Sequence, residues 1–305
     1  MEVPELACLF VRPALACLLV STPLRATLLV SGPNRPGLVA RLSEFVYQHG
    51  GNIVSADHHG ERDGDTFFLR LAWEAAGATI DRDAVGRGIR SLAAELGLAA
   101  ELTWSDALQR AAVFASRTPH CLYDLLLTWQ LGELGGDIAL VVSNHRSLEP
   151  VAKHFGVRYE HVPIDHTGKE GAEARQQKLL EECGIDLVVL ARYMQVLSPA
   201  FVQRWHGRLI NIHHSFLPAF VGAQAYRQAR ERGVKMIGAT AHYVTTELDQ
   251  GPIIEQDVVR VSHRDDVDDY ARKGRDLERQ VLTRAVRWHL ERRVLVSGDR
   301  TIVFA

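Results

Sequence analysis

Short apolar runs alternate with helical stretches in the second half of the chain, and this alternation restricts the fold more than any other feature. Four of the runs read AAVFAS, DIALVVSNH, RYEHVPI and DLVVLARY, and helical stretches such as CLYDLLLTWQLG and KEGAEARQQKLLEECG separate them. Strands that alternate with helices predict βαβ units and therefore a parallel sheet. Two further runs, RLINIHHS and KMIGATAHYVT, are expected to join it. The sequence thus predicts an α/β domain with a mostly parallel sheet.

The first part of the chain follows a different order of elements. From Arg25 a β-rich run ends in SGPNRPG, a helical stretch follows until Gly50, and two strand-like runs joined by GERDGD come next. A second helix at about residues 81–97 and the strand LAAELTW complete the set. This β-α-β-β-α-β order is typical of a ferredoxin-like domain, with helices on one face of an antiparallel sheet. The change of rhythm after SDALQR predicts a boundary at 105–110, with domains at 24–105 and 111–305.

Composition excludes some classes of partner. The formal net charge is −2 with histidine neutral, so no basic surface indicates nucleic acid or an anionic membrane. A basic helical segment near the C-terminus, ERQVLTRAVRWHLERR, is interpreted as one solvated face of an amphipathic helix. The four cysteines form no CxxC pair and are too few for a disulfide framework, which favours a cytoplasmic location.

Residues 1 to 23 form an extension of unknown role. Their apolar stretch LACLFVRPALACLLV follows acidic residues instead of a basic start, and Arg12 and Pro13 interrupt it. It is also shorter than the roughly 20 residues that a membrane span needs. We therefore expect neither a secretory signal nor a membrane segment here, and a translation start placed too early would explain the extension.

Ligands of parallel sheets lie beyond the carboxyl ends of the strands, so the residues that follow the apolar runs are the candidates for a site. His145 is such a residue, although it is equally well explained as part of a helix N-cap. In the stretch NIHHSFLPAF, Asn211 and His213 share one face of an extended segment, whereas His214 takes the other. A metal site needs at least three convergent ligands, and no HxH or HxxxH spacing occurs here. On this pattern alone, a polar pair that caps a strand is the simpler interpretation.

A carboxylate downstream changes this interpretation. The turn-forming sequence LDQGP is expected to hold Asp249 at the end of a strand. An Asn amide and a protonated His can donate hydrogen bonds to a tetrahedral oxyanion, while an Asp can orient the His and accept a proton. Such a trio suits attack on a formyl or acyl carbon without a nucleophilic Ser or Cys. Spacing alone does not decide between this role and the structural one.

Several motifs in one order resemble a known family. NIHHSFLPAF and GATAHYVTTELDQGPIIEQ resemble the formyltransferase fold of glycinamide ribonucleotide transformylase and its relatives. HCLYDLL, SNHRSLEPVA and DLVVLARYMQVLSP, together with the domain in front, resemble the formyltetrahydrofolate deformylase family. The resemblance covers about residues 25 to 303. It implies an N-terminal ACT regulatory domain followed by a Rossmann-like formyltransferase domain.

The resemblance also implies roles for individual residues. The matching catalytic residues are Asn211, His213 and Asp249. The residues expected to bind the folate substrate are Arg192, Met194, Val196, Leu197 and His242. No metal and no cofactor are expected, since formyltetrahydrofolate is itself the substrate.

The implied activity is hydrolysis of formyltetrahydrofolate to formate and tetrahydrofolate, which would balance one-carbon pools and supply formate for purine synthesis. One alternative is formyl transfer to an amine such as glycinamide ribonucleotide, and another is an amino-acid-sensing binding protein on an inactive fold. A phosphate-bearing acceptor would need a Gly-rich loop at a helix start, but ASRTPHCLYDLL contains no glycine. The absence of glycine favours hydrolysis, although the cationic Arg117 in the same loop leaves formyl transfer open.

The first domain carries a possible effector site. The turn GPNRPG leaves backbone N–H groups free at a helix start, and Asn52 opens the next strand. Turn formation alone explains these residues equally well. The resemblance adds that ACT domains bind small amino acids at paired interfaces, and that methionine activates and glycine inhibits in the deformylase family. It therefore implies a homo-oligomer with an effector pocket lined by Asn34, Gly37, Asn52 and Ile53.

Overall fold

The computed structural model describes most of the chain, namely residues 23–61, 65–75, 80–164, 168–219 and 225–305. The predicted extension at residues 1 to 23 lies almost entirely outside this part. None of the helices in the described ranges is long and apolar enough to cross a membrane.

The N-terminal unit has the predicted β-α-β-β-α-β order. Its elements are β1 (Arg25–Pro33), α1 (Leu38–Gln48), β2 (Gly51–Gly60), β3 (Thr66–Ala75), α2 (Arg82–Leu96) and β4 (Ala99–Trp104). The four strands form an antiparallel sheet in the order β2-β3-β1-β4. Both helices pack on one face of this sheet, where Leu28, Leu71 and Trp73 belong to a single buried core. The ferredoxin-like prediction is confirmed.

The second unit contains the predicted mostly parallel sheet. Its strands are β5 (Arg110–Ala115), β6 (Asp137–Ser143), β7 (Arg158–His161), β8 (Leu187–Ala191), β9 (Leu209–His213), β10 (Met236–Tyr243) and β11 (Ile253–Arg260). They lie in the order β11-β10-β9-β8-β5-β6-β7. Pairing is parallel from β7 to β9, whereas β10 and β11 are antiparallel to their neighbours. The α/β fold class is confirmed, and the predicted boundary at 105–110 lies between β4 and β5.

Helices cover both faces of this sheet. They are α3 (His120–Gln130), α4 (Glu149–His154), α5 (Gly168–Glu182), α6 (Pro199–Arg204), α7 (Ala225–Glu231) and α8 (Val267–Leu290). Successive residues of β5 point to opposite faces, so Val113 enters the core shared with α3 and α8, while Phe114 enters the core shared with α5 and α6. A strand buried on both faces must be apolar throughout, which explains the run AAVFAS.

A C-terminal hairpin, β12 (Val294–Ser297) and β13 (Arg300–Val303), joins the two units. The sequence analysis did not predict it, and so left the second face of the N-terminal sheet uncovered. In the structure Leu295, Ile302 and Phe304 pack on that face against Leu29 and Phe68. The hairpin belongs by sequence to the second unit, so the two units share a packed contact.

His289 lies buried near this contact. Its Nδ1 lies 2.7 Å from the hydroxyl of Tyr243, and only 9% of the residue is exposed. Burial, reinforced by the charges of Arg292 and Arg208, lowers the pKa of His289 to about 3. The folded protein therefore holds this imidazole in its neutral form.

This neutral histidine should make the protein less stable in mild acid. The pKa is depressed in the folded state, so only the unfolded chain takes up the proton as the pH falls through about 6.5. Between about pH 7.5 and about pH 5.5, His289 should remove about 1.4 kcal/mol from the free energy of unfolding. Urea denaturation at the two pH values measures this loss.

The His289→Gln variant should lose that part of the pH dependence, whatever its stability at neutral pH. The exposed His263 provides the control, because His263→Gln should keep the wild-type dependence. An unchanged pH dependence in His289→Gln would contradict the assignment.

Candidate active site

A cavity of about 290 Å³ opens at the carboxyl end of β8 and β9. Strand pairing brings its polar residues together, because Leu190 on β8 and His242 on β10 flank Asn211 on β9. All eight residues predicted to be catalytic or substrate-binding line this cavity, namely Arg192, Met194, Val196, Leu197, Asn211, His213, His242 and Asp249. The structure thus brings together residues that the sequence separates by up to 57 positions (249 − 192).

His213 and Asp249 face each other in the cavity. His213 Nδ1 lies 3.3 Å from Asp249 Oδ2, with 7% and 11% of the two side chains exposed. Because a carboxylate can only accept a hydrogen bond, the ring proton of this pair is on Nδ1. The carboxylate therefore fixes the orientation of the imidazole and keeps a proton on Nδ1.

The loop that carries Asp249 approaches β10 very closely. Asp249 has a left-handed backbone with φ of 57°, and Tyr243 N donates to Pro252 O at 2.9 Å. At Gly251 a Cβ atom would lie 1.7 Å from the carbonyl oxygen of Tyr243. Only glycine fits there, so LDQGP is required for close contact as well as for its turn.

His242 holds the amide of Asn211. Its Nδ1 lies 2.9 Å from the carbonyl oxygen of Tyr243, and its Nε2 lies 3.3 Å from Nδ2 of Asn211. Asp249 Oδ1 is also near, at 3.8 Å from Nε2. Burial lowers the pKa of His242, although the Tyr243 carbonyl and the Asp249 charge act in the opposite direction.

The two contacts together define the tautomer of His242. A carbonyl oxygen only accepts, so Nδ1 carries the proton, and a neutral ring then leaves Nε2 to accept from the Asn211 amide. His242 thereby fixes the orientation of the Asn211 amide. The second N–H of that amide points away from His242. We interpret His242 as a positioning residue within the predicted substrate site.

The segment after β8 forms the apolar wall of the cavity. Met194 and Val196 are 53% and 65% exposed although they are large apolar residues, and Leu197 lies beside them. A hydrogen bond holds the backbone of this segment, since Met194 N donates to Ser116 Oγ at 3.3 Å. Exposed apolar side chains on a fixed backbone are suited to contact with a flat ring system, which becomes ordered when it binds.

Sequence reasoning missed a buried carboxylate behind this wall. Glu278 on α8 is only 1% exposed, and it accepts hydrogen bonds from His120 Nε2 at 2.9 Å and from the hydroxyl of Tyr226. Arg192 Nε lies 3.4 Å from the same carboxylate. Burial acts to raise the pKa of Glu278, but these donors and the Arg192 charge outweigh it and lower the pKa.

The interpretation of ERQVLTRAVRWHLERR as a solvated face concerned its basic residues and did not consider Glu278, its first residue. Glu278 lies three and four residues before Val281 and Leu282, so helical spacing places it on the buried face of α8, and that position is the signal that could have found it. Glu278 pairs with Arg192, whose backbone has a left-handed φ of 59° at the cavity wall. The carboxylate thus helps to hold the first residue of the apolar segment.

Within the part of the chain that the structure describes, one group has the spacing of metal ligands. It consists of His120, Cys121 and Glu278, whose ligand atoms all lie within 4.8 Å of one another. Burial raises the pKa of the Cys121 thiol, and Glu278 already accepts from His120 and Tyr226. A protonated thiol and an occupied carboxylate make a poor metal site.

Other predicted candidates lie outside the cavity. His145 accepts from Arg117 Nε at 3.2 Å, and burial together with the Arg117 charge lowers its pKa. Its alternative role in a helix N-cap is wrong, because α4 begins after Leu148 without a side-chain cap. The end of β6 therefore adds no residue to the candidate site.

The four predicted effector residues occupy two ends of the N-terminal sheet. Asn34 lies beside Gly60 at the end of β2, and a Cβ on that glycine would be 3.3 Å from its Nδ2. Asn52 and Ile53 lie at the start of the same strand. Eight residues of extended strand separate the two ends by roughly 26 Å, so one chain does not bring all four residues into a single pocket.

Comparisons with known proteins agree with this architecture. The profile described as Formyl transferase matches residues 109–286, and the profile described as ACT domain matches residues 26–72. A formyltetrahydrofolate deformylase from Synechocystis sp. is 50% identical over 282 residues, which cover 92% of this chain and 99% of the relative. The crystal structure of a formyltetrahydrofolate deformylase from Pseudomonas syringae superposes with a TM-score of 0.90 at 46% identity, covering 94% of this chain and 97% of that one.

A more distant similarity covers a smaller share of the chain. The crystal structure of a glycinamide ribonucleotide transformylase from Symbiobacterium toebii has a TM-score of 0.60 at 34% identity. It covers 65% of this chain and 95% of that one.

The close approach at Gly251 leads to a stability prediction. Gly251→Ala places a Cβ against a backbone oxygen that cannot move aside, so the variant should lose at least about 1–3 kcal/mol, the usual cost of overpacking. Urea denaturation measures the loss. Gly86→Ala is the control, because Gly86 lies within α2 and its Cβ would meet nothing closer than 3.4 Å. If both variants are as stable as the wild type, the loop does not depend on this contact.

Proposed function

The chain belongs to the formyltetrahydrofolate deformylase family, and we propose that its activity, hydrolysis of formyltetrahydrofolate to formate and tetrahydrofolate, takes place in the cavity around Asn211 and His213. The observation that supports this most is the convergence of an amide, an imidazole and a carboxylate on one apolar cavity. Those three groups meet the needs of acyl-type hydrolysis without a covalent intermediate.

In the proposed reaction water attacks the formyl carbon. The new C–O bond turns the formyl oxygen into an oxyanion, to which the Asn211 amide and the His213 imidazolium donate hydrogen bonds. Asp249 orients His213 and accepts the proton that the attacking water loses. The C–N bond then breaks as the folate nitrogen takes that proton from Asp249, which becomes a carboxylate again. Tetrahydrofolate leaves, and formic acid leaves and loses its proton to the solvent as formate.

Binding of the folate rests on the apolar wall. We assign the ring system to the segment that begins at Arg192, where Met194, Val196 and Leu197 line the cavity. Burying such side chains on binding contributes roughly 25 cal/mol per Å² of apolar surface. The reaction as proposed needs no metal or cofactor besides the folate itself.

Water rather than an amine is the proposed acceptor. The transformylase similarity covers 65% of this chain at a TM-score of 0.60, while the deformylase similarity covers 94% at a TM-score of 0.90. In addition, the loop before α3 contains no glycine that would let its backbone approach a phosphate. Hydrolysis is therefore favoured over transfer.

Control by an amino acid is assigned to the ACT domain. Antiparallel pairing of two β2 edges would bring Asn34 and the nearby Gly37 of one chain next to Asn52 and Ile53 of the other, because Asn34 lies beside the last residue of β2 and Asn52 and Ile53 lie at its start. Such a homodimer completes a pocket that a single chain lacks. Methionine and glycine are the proposed effectors. A cytoplasmic location fits the free thiols of Cys121 and Cys183.

The catalytic roles can be tested by substitution. Loss of an oxyanion donor costs about 2.7–4 kcal/mol, so Asn211→Ala should slow formate release roughly a hundredfold or more, and Asp249→Ala should do at least as much. Formate release from formyltetrahydrofolate is measured with and without glycinamide ribonucleotide and after exhaustive chelation. Neither glycinamide ribonucleotide nor chelation should change the rate of formate release by the wild type.

The control for these variants is Asp276→Ala, which removes an exposed carboxylate that pairs with Arg279 on α8. It should behave like the wild type. Near-normal turnover by folded Asn211→Ala or Asp249→Ala would remove that residue from the mechanism. Formylation of the added ribonucleotide would replace hydrolysis by transfer.

The effector assignment makes a separate prediction. Methionine or glycine should change the rate of formate release or the melting temperature of the full-length enzyme, and Asn52→Ala should abolish the change without altering the basal rate. Glu44→Ala, on the exposed face of α1, is the matched control and should respond normally. If neither amino acid has an effect, the domain serves only as a scaffold.

A further inference from the structure

A second cavity, of about 310 Å³, adjoins the cavity that holds the proposed catalytic residues. His214 lines both cavities, and its ring lies against that of His213, with the centroids 5.1 Å apart. The rest of the second lining is mostly apolar and includes Ala229 of α7, Ile237 of β10 and Val258 of β11. The proposed reaction gives this neighbouring space no role.

Three side chains lie between the two cavities. Arg192 lines the first cavity and Tyr226 lines the second, and both contact the carboxylate of Glu278. Arg192 Nε lies 3.4 Å from this carboxylate, and the Tyr226 hydroxyl donates a hydrogen bond to it. Arg192, Glu278 and Tyr226 thus form a continuous partition between the two cavities.

Contacts with several elements hold the partition in place. Glu278 is 1% exposed, and it also accepts a hydrogen bond from His120 Nε2 of α3 at 2.9 Å. Tyr226 lies against Gly274 of α8, where a Cβ atom would be 2.1 Å from the hydroxyl oxygen. The Tyr226 ring also contacts the His214 ring, with the centroids 5.6 Å apart. A movement of Tyr226 would break these contacts, so the partition keeps its shape.

The charges of the partition indicate that it does more than fill space. Burying a carboxylate and a guanidinium costs several kcal/mol per ion, and apolar side chains of similar volume often stabilise a core equally well. Paired charges with satisfied hydrogen bonds instead fix one geometry of the side chains. A fixed geometry is useful where the shape of a reaction site decides which molecules can enter.

The formyl group of the substrate would be enclosed on three sides. The folate ring system covers the apolar wall, and Asn211, His213 and Asp249 face the group from another side. Arg192 lies at a third side, where its guanidinium extends toward Glu278 and the second cavity. Water is small enough to enter this enclosed space, whereas an amine with substituents needs more room. That room exists in the second cavity, behind the partition.

We propose that the partition of Arg192, Glu278 and Tyr226 keeps amines away from the formyl carbon and thereby selects water as the acceptor. Arg192 determines this specificity through the volume of its side chain, and Glu278 is a positioning residue that acts through Arg192. The inference rests on the proposed function, since it explains why the trio around His213 releases formate.

An amine admitted to the site would react as water does. Its nitrogen attacks the formyl carbon and forms a new C–N bond, and Asp249 accepts the proton that this nitrogen loses. The bond to the folate nitrogen then breaks as the folate nitrogen takes the proton from Asp249. The products are an N-formyl amine and tetrahydrofolate, so the two reactions differ only in the acceptor.

Competition between water and glycinamide measures the selection. Glycinamide is a small primary amine without a phosphate, so its binding needs no phosphate-binding loop. The full-length enzyme is incubated with formyltetrahydrofolate and glycinamide, and mass spectrometry quantifies formate and N-formylglycinamide. A reaction without enzyme gives the background. The wild type should release formate and form no N-formylglycinamide above this background.

Removal of the Arg192 side chain should change the products. Arg192→Gly should raise the ratio of N-formylglycinamide to formate at least about tenfold, because the cavity is no longer closed on this side. Glycine also suits the left-handed backbone at this position, where φ is 59°. The double variant Arg192→Gly with Glu278→Gln leaves no unpaired carboxylate buried, and it should show the same rise. The ratio compares two products of one incubation, so it is independent of the overall rate.

Two variants serve as controls. Arg192→Lys retains a long cationic side chain, so it should keep the ratio of products near that of the wild type. Arg275→Ala removes an exposed arginine of α8 that lines neither cavity, and its ratio should equal that of the wild type.

Several results would overturn the proposal. A wild-type ratio in folded Arg192→Gly and in the double variant would show that the partition does not select the acceptor. Loss of both products in these variants would show that Arg192 serves only to bind the folate. An equal rise in Arg275→Ala, or N-formylglycinamide from the wild type, would show that amines are not excluded by the partition. The proposed function fails separately, if the wild type releases no formate in the absence of glycinamide.

Discussion

The candidate site depends on one close contact, that between the loop of Asp249 and strand β10. Because Gly251 has no side chain, its backbone can lie against the Tyr243 carbonyl, and Asp249 is thereby brought next to His213 and His242. Asp249 reaches this position through a left-handed backbone conformation that a non-glycine residue adopts at some energetic cost. The surrounding sheet and the Tyr243–Pro252 hydrogen bond stabilise it.

The rest of the fold brings the other site residues to this contact. A parallel sheet buried on both faces brings the ends of β8 and β9 to one edge, and the antiparallel β10 returns His242 to the same edge. Burial there keeps His242 neutral, so its Nε2 can accept from Asn211 and fix the direction of the amide. Preorganised donors of this kind need no rearrangement when charge develops on the substrate.

Local patterns in the sequence predicted both sheets, the order of most elements and, through resemblance, every predicted residue of the cavity. They did not predict features that depend on distant partners. The β12–β13 hairpin consists of two four-residue strands, whose Leu295 and Ile302 pack against Leu29 and Phe68 of the other domain. Glu278 accepts hydrogen bonds from His120 and Tyr226 and forms an ion pair with Arg192, all from other parts of the chain.

The state of His242 tests the central claim most directly. In protein with nitrogen-15-labelled histidine, the signals absent from a His242→Gln variant identify this ring, and nitrogen chemical shifts report which nitrogen carries the proton. At about pH 6.5, where an unperturbed histidine is half protonated, we expect a neutral ring with the proton on Nδ1. A doubly protonated ring, or a neutral ring with its proton on Nε2, would contradict the proposal that His242 accepts from Asn211 and orients it toward the formyl group.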